Sequence, residues 1–249
     1  MPVRGTLAPG KTFVWFTAVN SVSDPLILAE FLSLLSAEEQ RQHQAFHFDT
    51  DRHLYLVAHA LLRTSLSQYS EVQPASWTFS CGEFGRPEID VSVPVNELIR
   101  FNLSHTSGLA ACAIARDVDI GIDVECLDRR TSCESIASRF FSPTEFEQLT
   151  KLPEAERQRR FLEYWTLKEA YIKACGMGLS MPLDSFCFYR DASGEWRIRF
   201  TDGNDNPKEW QFICLQPTTS HVMSIAIRLA QDPVHDVHVI EFVPSNQEV

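Results

Sequence analysis

The chain has 249 residues, 44% of them hydrophobic and 22% charged, with a formal net charge of −11. This composition is typical of a globular protein that buries its own core in one large or two small domains. The acidic balance argues against a nucleic-acid binder, which usually has a basic footprint. No apolar stretch approaches the ~18 residues that a membrane-spanning helix requires, so we expect no membrane partner.

Cysteine spacing and the N-terminal sequence bear on the compartment. The seven cysteines are scattered, odd in number and without a C-x-x-C pair, which argues for reduced thiols and against disulfides or a zinc site. The N-terminus lacks the basic and then apolar segments of a secretory signal. We therefore expect a cytoplasmic protein.

The first part of the chain predicts one strand and then three helices. Residues 12–19 are rich in aromatic and branched side chains, as strands are. A first helix is expected over 25–35, with Asp24 as its N-cap and proline at its first position. Ser36 to Glu39 has the pattern of a capping box for a second, short helix. Apolar residues at helical spacing predict a long third helix over 49–69.

Strands are predicted next. One pair surrounds the turn Gly85-Arg86-Pro87, and a second pair is joined by residues 104–108; the four strands are 77–81, 88–91, 101–103 and 109–115. A short polar connection at 116–119 marks the expected boundary between two closely packed halves, because no Gly/Ser linker is present.

The second half is predicted to follow the same order of helices and then strands, although no residue-level repeat is visible. A helix over 134–141 precedes a capping box at Ser142 to Glu145. A long helix over 154–174 is stopped by Gly176 and Gly178. Five strands are then expected, over 185–189, 195–200, 209–215, 222–229 and 237–242.

Asp123 and Glu125 lie two residues apart among apolar β-forming residues. A strand places alternate residues on one face, so both carboxylates would converge on the same side. Hard oxygen ligands suit magnesium, which commonly takes one or two carboxylates and completes its shell with water and phosphate oxygens. The same pattern also fits an ordinary solvated strand face.

The segment Trp165 to Lys173 is predicted to be helical, and residues four apart share a helix face. Trp165, Glu169 and Lys173 therefore form one stripe, with Lys168 beside it. Three acids and two lysines would supply the charge neutralisation and the proton acceptor that transfer of a phosphoryl-type group needs. Glu169 and Lys173 also fit a plain i,i+4 ion pair worth about 0.2–0.5 kcal/mol.

With these motifs the sequence resembles the 4′-phosphopantetheinyl transferases of the longer, surfactin-synthetase type. The resemblance covers most of residues 40–190. Its motifs stand in the family's order and at similar spacing, and they are highly specific together: Phe84-Gly85-Arg86-Pro87, Phe101 to His105, Gly121 to Glu125, Phe140-Phe141-Ser142, Trp165 to Lys173 and Gly178 to Leu183.

The resemblance implies an α+β fold of two similar halves, residues 1–117 and 118–249. The halves would be related by a pseudo-twofold, with the site between them. It also implies a monomer, because the two halves supply the interface that shorter relatives obtain by oligomerising.

The resemblance further implies that the protein moves the 4′-phosphopantetheine group of coenzyme A to a serine of an apo acyl or peptidyl carrier protein, releasing 3′,5′-ADP. Magnesium would be held by Asp123, Glu125 and Glu169. Glu169 would accept the serine proton, directly or through a metal-bound water. Lys173 would reach the pyrophosphate and stabilise the charge left on the product.

Coenzyme A would be held by further basic and polar residues. The resemblance gives His105 the 3′-phosphate, with Ser104 nearby, and Arg86 the adenosine-phosphate end. Relatives also place lysines around Glu39 and Gln42, where this chain has none. The full set assigned to coenzyme A is Arg63, Arg86, Ser104, His105, Lys168 and Lys173.

Two other functions stay open. A magnesium-dependent nucleotide phosphohydrolase would use the same acids with water as nucleophile, but it leaves Gly85-Arg86-Pro87 and Ser104-His105 without a role. A non-catalytic coenzyme A-binding protein would be expected to lack one acid, and all three acids are present. Glu145 is explained by its capping position, and it is also the next candidate for the base after Glu169.

Overall fold

In the computed structural model, which describes residues 5–82, 85–95, 98–129, 132–178, 181–201, 203, 205–229 and 234–244, the polypeptide divides into two units. The first unit is Met1–Asp117 with Asp236–Val249, and the second is Val118–His235. The motif residues Phe84, Leu179 and Ser180 lie outside the described residues.

The helices and strands follow the predicted order. The α-helices are α1 (Pro25–Leu34), α2 (Ala37–Ala45), α3 (Asp49–Leu66), α4 (Cys133–Phe140), α5 (Pro143–Thr150) and α6 (Glu154–Cys175). The strands are β1 (Lys11–Ala18), β2 (Phe79–Cys81), β3 (Pro87–Ile89), β4 (Ile99–Thr106), β5 (Leu109–Arg116), β6 (Ile120–Cys126), β7 (Phe186–Arg190), β8 (Trp196–Phe200), β9 (Trp210–Thr218), β10 (His221–Arg228) and β11 (Asp236–Glu241).

The first unit is built on a four-stranded sheet in the order β11-β1-β5-β4. Helix α3 packs against this sheet, and its buried residues share one hydrophobic core with alternate residues of β4 and β5, among them Phe101, Cys112 and Ile114. The short hairpin of β2 and β3 follows α3 in the chain. Its turn requires a glycine at position 85, where φ is +80°.

The predicted helix starts of the first unit are confirmed. Asp24 accepts a hydrogen bond from the N–H of Leu26 at 2.8 Å, and Pro25 is the first residue of α1. Ser36 and Glu39 form a complete capping box at the start of α2, because each side chain accepts from the other's backbone N–H.

The prediction that residues 104–108 connect β4 and β5 is wrong, because the connection is shorter. Thr106 pairs directly with Leu109, so the connection is a two-residue turn at Ser107 and Gly108. Ser104 and His105, expected in the connection, lie inside β4. Their polar character suggested a loop, but pairing with β5 satisfies their backbone groups as part of the sheet.

The second unit is built on the antiparallel sheet β6-β10-β9, with α6 packed against β6 and β10. Strands β7 and β8 form a hairpin whose inner residues share the core with α6. The capping box at Ser142 and Glu145 is confirmed at the start of α5. Helix α6 ends at Gly176, whose φ of +67° gives the left-handed stop that the sequence predicted.

The prediction that the second half of the protein runs from residue 118 to residue 249 is wrong at its C-terminal end, because the second unit ends at His235. Strand β11 pairs in parallel with β1 of the first unit, in register from Lys11 with Asp236 to Phe16 with Glu241. The hydrophobic pattern of a strand predicts the strand but not its partner, which explains the error.

The α+β class is confirmed, since the first unit combines helices with a mostly antiparallel sheet and the second combines helices with an antiparallel sheet. The pseudo-twofold relation of the halves and a site between them stay predictions. None of the described helices combines the length and apolar character needed to cross a bilayer.

Candidate functional site

A close crossing of β6 and α6 places the predicted acidic residues near one another. Gly121 lies so near α6 that a Cβ there would come 2.0 Å from the carbonyl oxygen of Ala170 and 2.6 Å from the nitrogen of Ala174. Because alternate strand residues share a face, Asp123 and Glu125 lie on the same face of β6 as Gly121. That face packs against α6, which carries Glu169 and Lys173.

Asp123 and Lys173 are joined by an ion pair. The Lys173 Nζ donates to Asp123 Oδ1 at 2.7 Å and to the carbonyl oxygen of Ile122 at 3.1 Å. The Asp123 side chain is 10% exposed and that of Lys173 is 29% exposed, so the pair borders solvent. The predicted stripe on α6 thus contacts the predicted carboxylate pair through its lysine.

Glu125 and Glu169 complete the acidic group. Glu125 Oε1 accepts from Arg129 Nη1 at 2.6 Å. Burial raises the pKa of Glu169 above its ordinary value, and the negative charges of Asp123 and Glu125 raise it further, against the opposing effect of Lys173. A bound cation would offset the electrostatic repulsion among these three carboxylates.

No three His, Cys, Asp or Glu side chains in the described parts of the chain are gathered as a preformed metal-binding group. Two of the three predicted ligands are instead attached to cationic side chains, Asp123 to Lys173 and Glu125 to Arg129. The donors still fit magnesium, because they are hard oxygens and one or two carboxylates are its usual protein contribution.

The prediction that Lys168 contacts coenzyme A is wrong. Its side chain is fully buried, and its ammonium donates to Glu145 Oε2 at 2.9 Å and to the carbonyls of Leu183 and Phe186 at 2.7 and 2.8 Å. These three acceptors use all three of its N–H groups. Burial lowers its pKa, and the Glu145 carboxylate opposes that shift.

Glu145 is likewise excluded as the alternative base. Its side chain is fully buried. Besides Lys168 it accepts from the N–H and hydroxyl of Ser142, at 3.0 and 2.7 Å, and from the N–H of Phe188 at 2.8 Å. A carboxylate that accepts four hydrogen bonds in the core cannot reach a substrate proton.

Arg63, predicted to extend the phosphate pocket, is also a buried structural residue. Its side chain is 1% exposed and donates to Glu39 Oε2 through Nε at 3.0 Å and Nη2 at 2.5 Å. Its Nη1 donates to the carbonyls of Pro74 and Trp77, at 3.1 and 2.9 Å. The guanidinium is therefore occupied by the fold of the first unit.

The other residues assigned to coenzyme A lie on the first unit. Arg86 is in the turn between β2 and β3, and Ser104 and His105 are neighbours on β4. Neighbouring strand residues point to opposite faces, and Ser104 is buried while His105 is exposed. Of these two side chains, only that of His105 is thus open to an anionic ligand from solvent.

Two contributions to this site were not predicted. Arg129, four residues after Glu125, pairs with it although it lies beyond the end of β6. Gly121 sets the approach of β6 to α6, and the small residues Ala170 and Ala174 opposite it are the sequence signal of a close crossing. Only the tertiary contact connects that signal to the glycine.

Two family models match the sequence. The model of the 4′-phosphopantetheinyl transferase superfamily matches residues 119–226, and that of the 4′-phosphopantetheinyl transferase N-terminal region matches residues 25–116. The 4′-phosphopantetheinyl transferase HetI of Nostoc sp. is 34% identical over 179 residues, covering 72% of this chain and 74% of that protein. The 4′-phosphopantetheinyl transferase Sfp of Bacillus subtilis is 33% identical over 174 residues, covering 70% and 75%.

Among solved structures, the holo-[acyl-carrier-protein] synthase of Neisseria meningitidis is 16% identical with a TM-score of 0.39, covering 45% of this chain and 98% of that one.

Proposed function

The chain belongs to the 4′-phosphopantetheinyl transferase superfamily, and we propose that it transfers the 4′-phosphopantetheine group of coenzyme A to a serine of an apo acyl or peptidyl carrier protein. The serine hydroxyl oxygen forms a new bond to the β-phosphorus of coenzyme A. The pyrophosphate bond breaks, and 3′,5′-ADP leaves with the electron pair. The serine proton passes to a base.

The observation that carries this proposal, beyond family membership, is the group of acids and one lysine at the crossing of β6 and α6. Asp123 is held by the Lys173 ammonium at 2.7 Å, and the pKa of Glu169, raised by burial, responds also to the charges of Asp123 and Glu125. A pyrophosphate substrate needs cationic charge and a nearby base, and this group supplies both kinds of residue.

Magnesium is the cation that we propose for these carboxylates. Asp123, Glu125 and Glu169 would hold it, and when bound it would neutralise charge on the pyrophosphate. The Lys173 ammonium, which now neutralises Asp123, would then have a phosphate oxygen as its alternative partner.

Glu169 is proposed as the base because its surroundings favour its protonated form. Its pKa is raised by burial and by two neighbouring carboxylates, which brings it closer to neutral pH. Lys173 would stabilise the charge that develops on the departing 3′,5′-ADP.

The first unit is proposed to bind the adenosine-phosphate part of coenzyme A. The exposed His105 side chain on β4 would contact the 3′-phosphate, and Arg86 in the turn between β2 and β3 would contribute a second cation. An adjacent phosphate would favour the charged imidazole, which makes a charge-assisted hydrogen bond.

The test is an incubation of the protein with coenzyme A, magnesium and a panel of apo carrier proteins, read by intact mass. The expected result is a carrier that gains one phosphopantetheine group on its serine, with release of one 3′,5′-ADP. Omission of the divalent cation should stop the reaction. Hydrolysis of coenzyme A without any carrier, with no modified carrier in the panel, would contradict the proposal and favour a phosphohydrolase.

A monomeric state is also proposed, because a single chain is matched by both family models, over residues 119–226 and 25–116. Light scattering on the purified protein should give the mass of a single chain, 28.3 kDa. A mass twice that value would contradict it.

A further inference from the structure

The buried ion pair of Lys168 and Glu145 connects segments that are distant in sequence. Glu145 accepts from Ser142 at the start of α5 and from the N–H of Phe188 on β7. Lys168, on α6, donates to the carbonyls of Leu183 and Phe186. One pair of charges therefore joins α5, α6, β7 and the segment that leads into β7.

A gain in the free energy of unfolding does not explain why the protein has a buried ion pair of this kind. Removing two charges from water costs about as much as their attraction returns, so apolar residues of similar volume are often at least as stabilising. What apolar residues cannot do here is satisfy the carbonyls of Leu183 and Phe186 and the N–H of Phe188. The pair thus fixes where these backbone groups lie.

The same arrangement occurs in the first unit. A capping-box glutamate, Glu39, accepts from the buried Arg63 of the long helix α3, and Arg63 also donates to two carbonyls further along the chain. In both units a capping-box glutamate is thus tied to the C-terminal half of the long helix that packs on the sheet. The recurrence indicates a device that orients this helix.

In the second unit the helix so oriented carries the acid of the proposed site. Glu169 directly follows Lys168, and Ala170 is the residue that meets Gly121 of β6. The helix turn with Glu169 is therefore held on one side by the ion pair and on another by the close contact with β6.

We propose that Lys168 and Glu145 are positioning residues of the transfer reaction, whose ion pair sets the orientation of the α6 turn that presents Glu169. This inference rests on the proposed function. It assigns to Lys168 an effect on turnover and none on the binding of coenzyme A.

The test compares Lys168→Met, Glu145→Gln and the double variant with the wild type, by thermal unfolding and by steady-state kinetics. Each single variant leaves an unpaired buried partner and should unfold at a lower temperature. In the double variant the unfolding midpoint should recover in part, because no unpaired charge is left but the carbonyls of Leu183 and Phe186 still lack a donor. Its kcat should stay about 10-fold or more below that of the wild type, because small misplacements of a reacting group are costly, with an unchanged KM for coenzyme A.

The matched control is the exposed i,i+4 pair of Lys151 and Glu147, with a distance of 2.7 Å and side chains 70% and 66% exposed. Lys151→Met/Glu147→Gln removes the same two charges at the other end of α5 and should leave the unfolding midpoint, kcat and KM unchanged. A kcat loss of equal size in this control would overturn the proposal.

Two further results would overturn it. A double variant with partly recovered midpoint and wild-type kcat would make the pair purely structural, and a raised KM for coenzyme A at unchanged kcat would make Lys168 a phosphate ligand. If Lys168→Met does not fold, Glu145→Gln alone decides by the same split: a lower kcat at unchanged KM supports the proposal, and an unchanged kcat contradicts it. Failure of the proposed function is distinct, because the wild type itself would then transfer nothing.

Discussion

Gly121 of β6 lies in direct contact with the backbone of Ala170 on α6, with no room for a side chain between them. A Cβ at this position would stand 2.0 Å from a carbonyl oxygen of the helix backbone. That oxygen cannot move aside unless the whole packed helix moves. The contact sets the distance between the strand that carries Asp123 and Glu125 and the helix that carries Glu169 and Lys173.

Gly121→Ala should therefore lower both stability and activity. Overpacking against a backbone atom typically costs about 1–3 kcal/mol, and we expect a loss of at least about 3 kcal/mol in the free energy of unfolding, since no flexible side chain can move aside. Urea unfolding measures the loss. Gly5→Ala is the control, because a Cβ there meets only the Tyr69 ring at 3.5 Å. Equal stability of the two variants would show that α6 readily shifts.

Asp123→Asn should greatly reduce transfer without unfolding the protein. The substitution keeps the size of the side chain but removes the charge that pairs with Lys173 and that would hold magnesium. Loss of a charge at a site that stabilises a developing negative charge is expected to lower kcat by about 10²-fold or more. The rate is measured at several magnesium concentrations, beside a thermal unfolding curve. Full activity at low magnesium would show that Asp123 does not bind the cation.

His105→Ala should weaken coenzyme A much more than dephospho-coenzyme A, which lacks the 3′-phosphate. A charge-assisted hydrogen bond is worth about 1.5–3 kcal/mol, which corresponds to roughly 10- to 200-fold in binding. Titration calorimetry with both ligands separates this contact from general damage. Thr106→Ala, next to it on β4, is the control for the strand. Equal losses for the two ligands would give His105 a structural role only.

Glu39 should make the stability of the protein depend on pH in the acid range. Burial alone would raise its pKa, but hydrogen bonds from His59 and from the Ser36 N–H, with the Arg63 guanidinium, lower it from 4.5 to about 2. A lowered pKa means that the folded state favours the carboxylate. The contribution of Glu39 is therefore complete above about pH 5 and is lost as the pH falls toward 2, and it amounts to roughly 3 kcal/mol.

The measurement is the difference in unfolding free energy between the wild type and Glu39→Gln at several pH values. It should be largest at neutral pH, where the variant leaves Arg63 buried without a carboxylate, and should shrink below pH 4. Glu38→Gln, at an exposed neighbouring position, should change little at any pH. A difference that does not vary with pH would contradict the lowered pKa.

Local signals in the sequence predicted the helices well. Asp24 and the capping boxes of Ser36 and Ser142 act over three residues, so their geometry is contained in the sequence that shows them. The glycine stop at Gly176 is equally local. The alternation of Asp123 and Glu125 likewise predicted their shared strand face.

Long-range pairing could not be read in the same way. Lys168 and Arg63 looked like phosphate ligands because their buried partners, Glu145 and Glu39, lie 23 and 24 residues away, and both glutamates were already explained as caps. The partner of β11 is more than 200 residues away along the chain. Such contacts depend on how the elements pack, and spacing in the sequence does not specify that.

Glu169→Gln should separate the two roles proposed for this acid. The amide keeps the shape and one ligating oxygen but removes the negative charge and the basicity. If Glu169 accepts the serine proton, kcat should fall by about 10²–10⁴-fold, the usual share of general base catalysis. High magnesium should restore little of the rate, and the affinity for coenzyme A should barely change.

The experiment that distinguishes the roles of Glu169 is a magnesium titration of the transfer rate for wild type and Glu169→Gln, with coenzyme A and carrier protein saturating. We expect incomplete recovery, because Asp123 and Glu125 still offer the cation two carboxylates and the missing function is the base. Glu125→Gln is the matched comparison, and its loss should appear mainly as a higher magnesium requirement. Full recovery of Glu169→Gln at high magnesium would make Glu169 a ligand only. The base would then be sought outside the protein core, since the buried Glu145 cannot replace it.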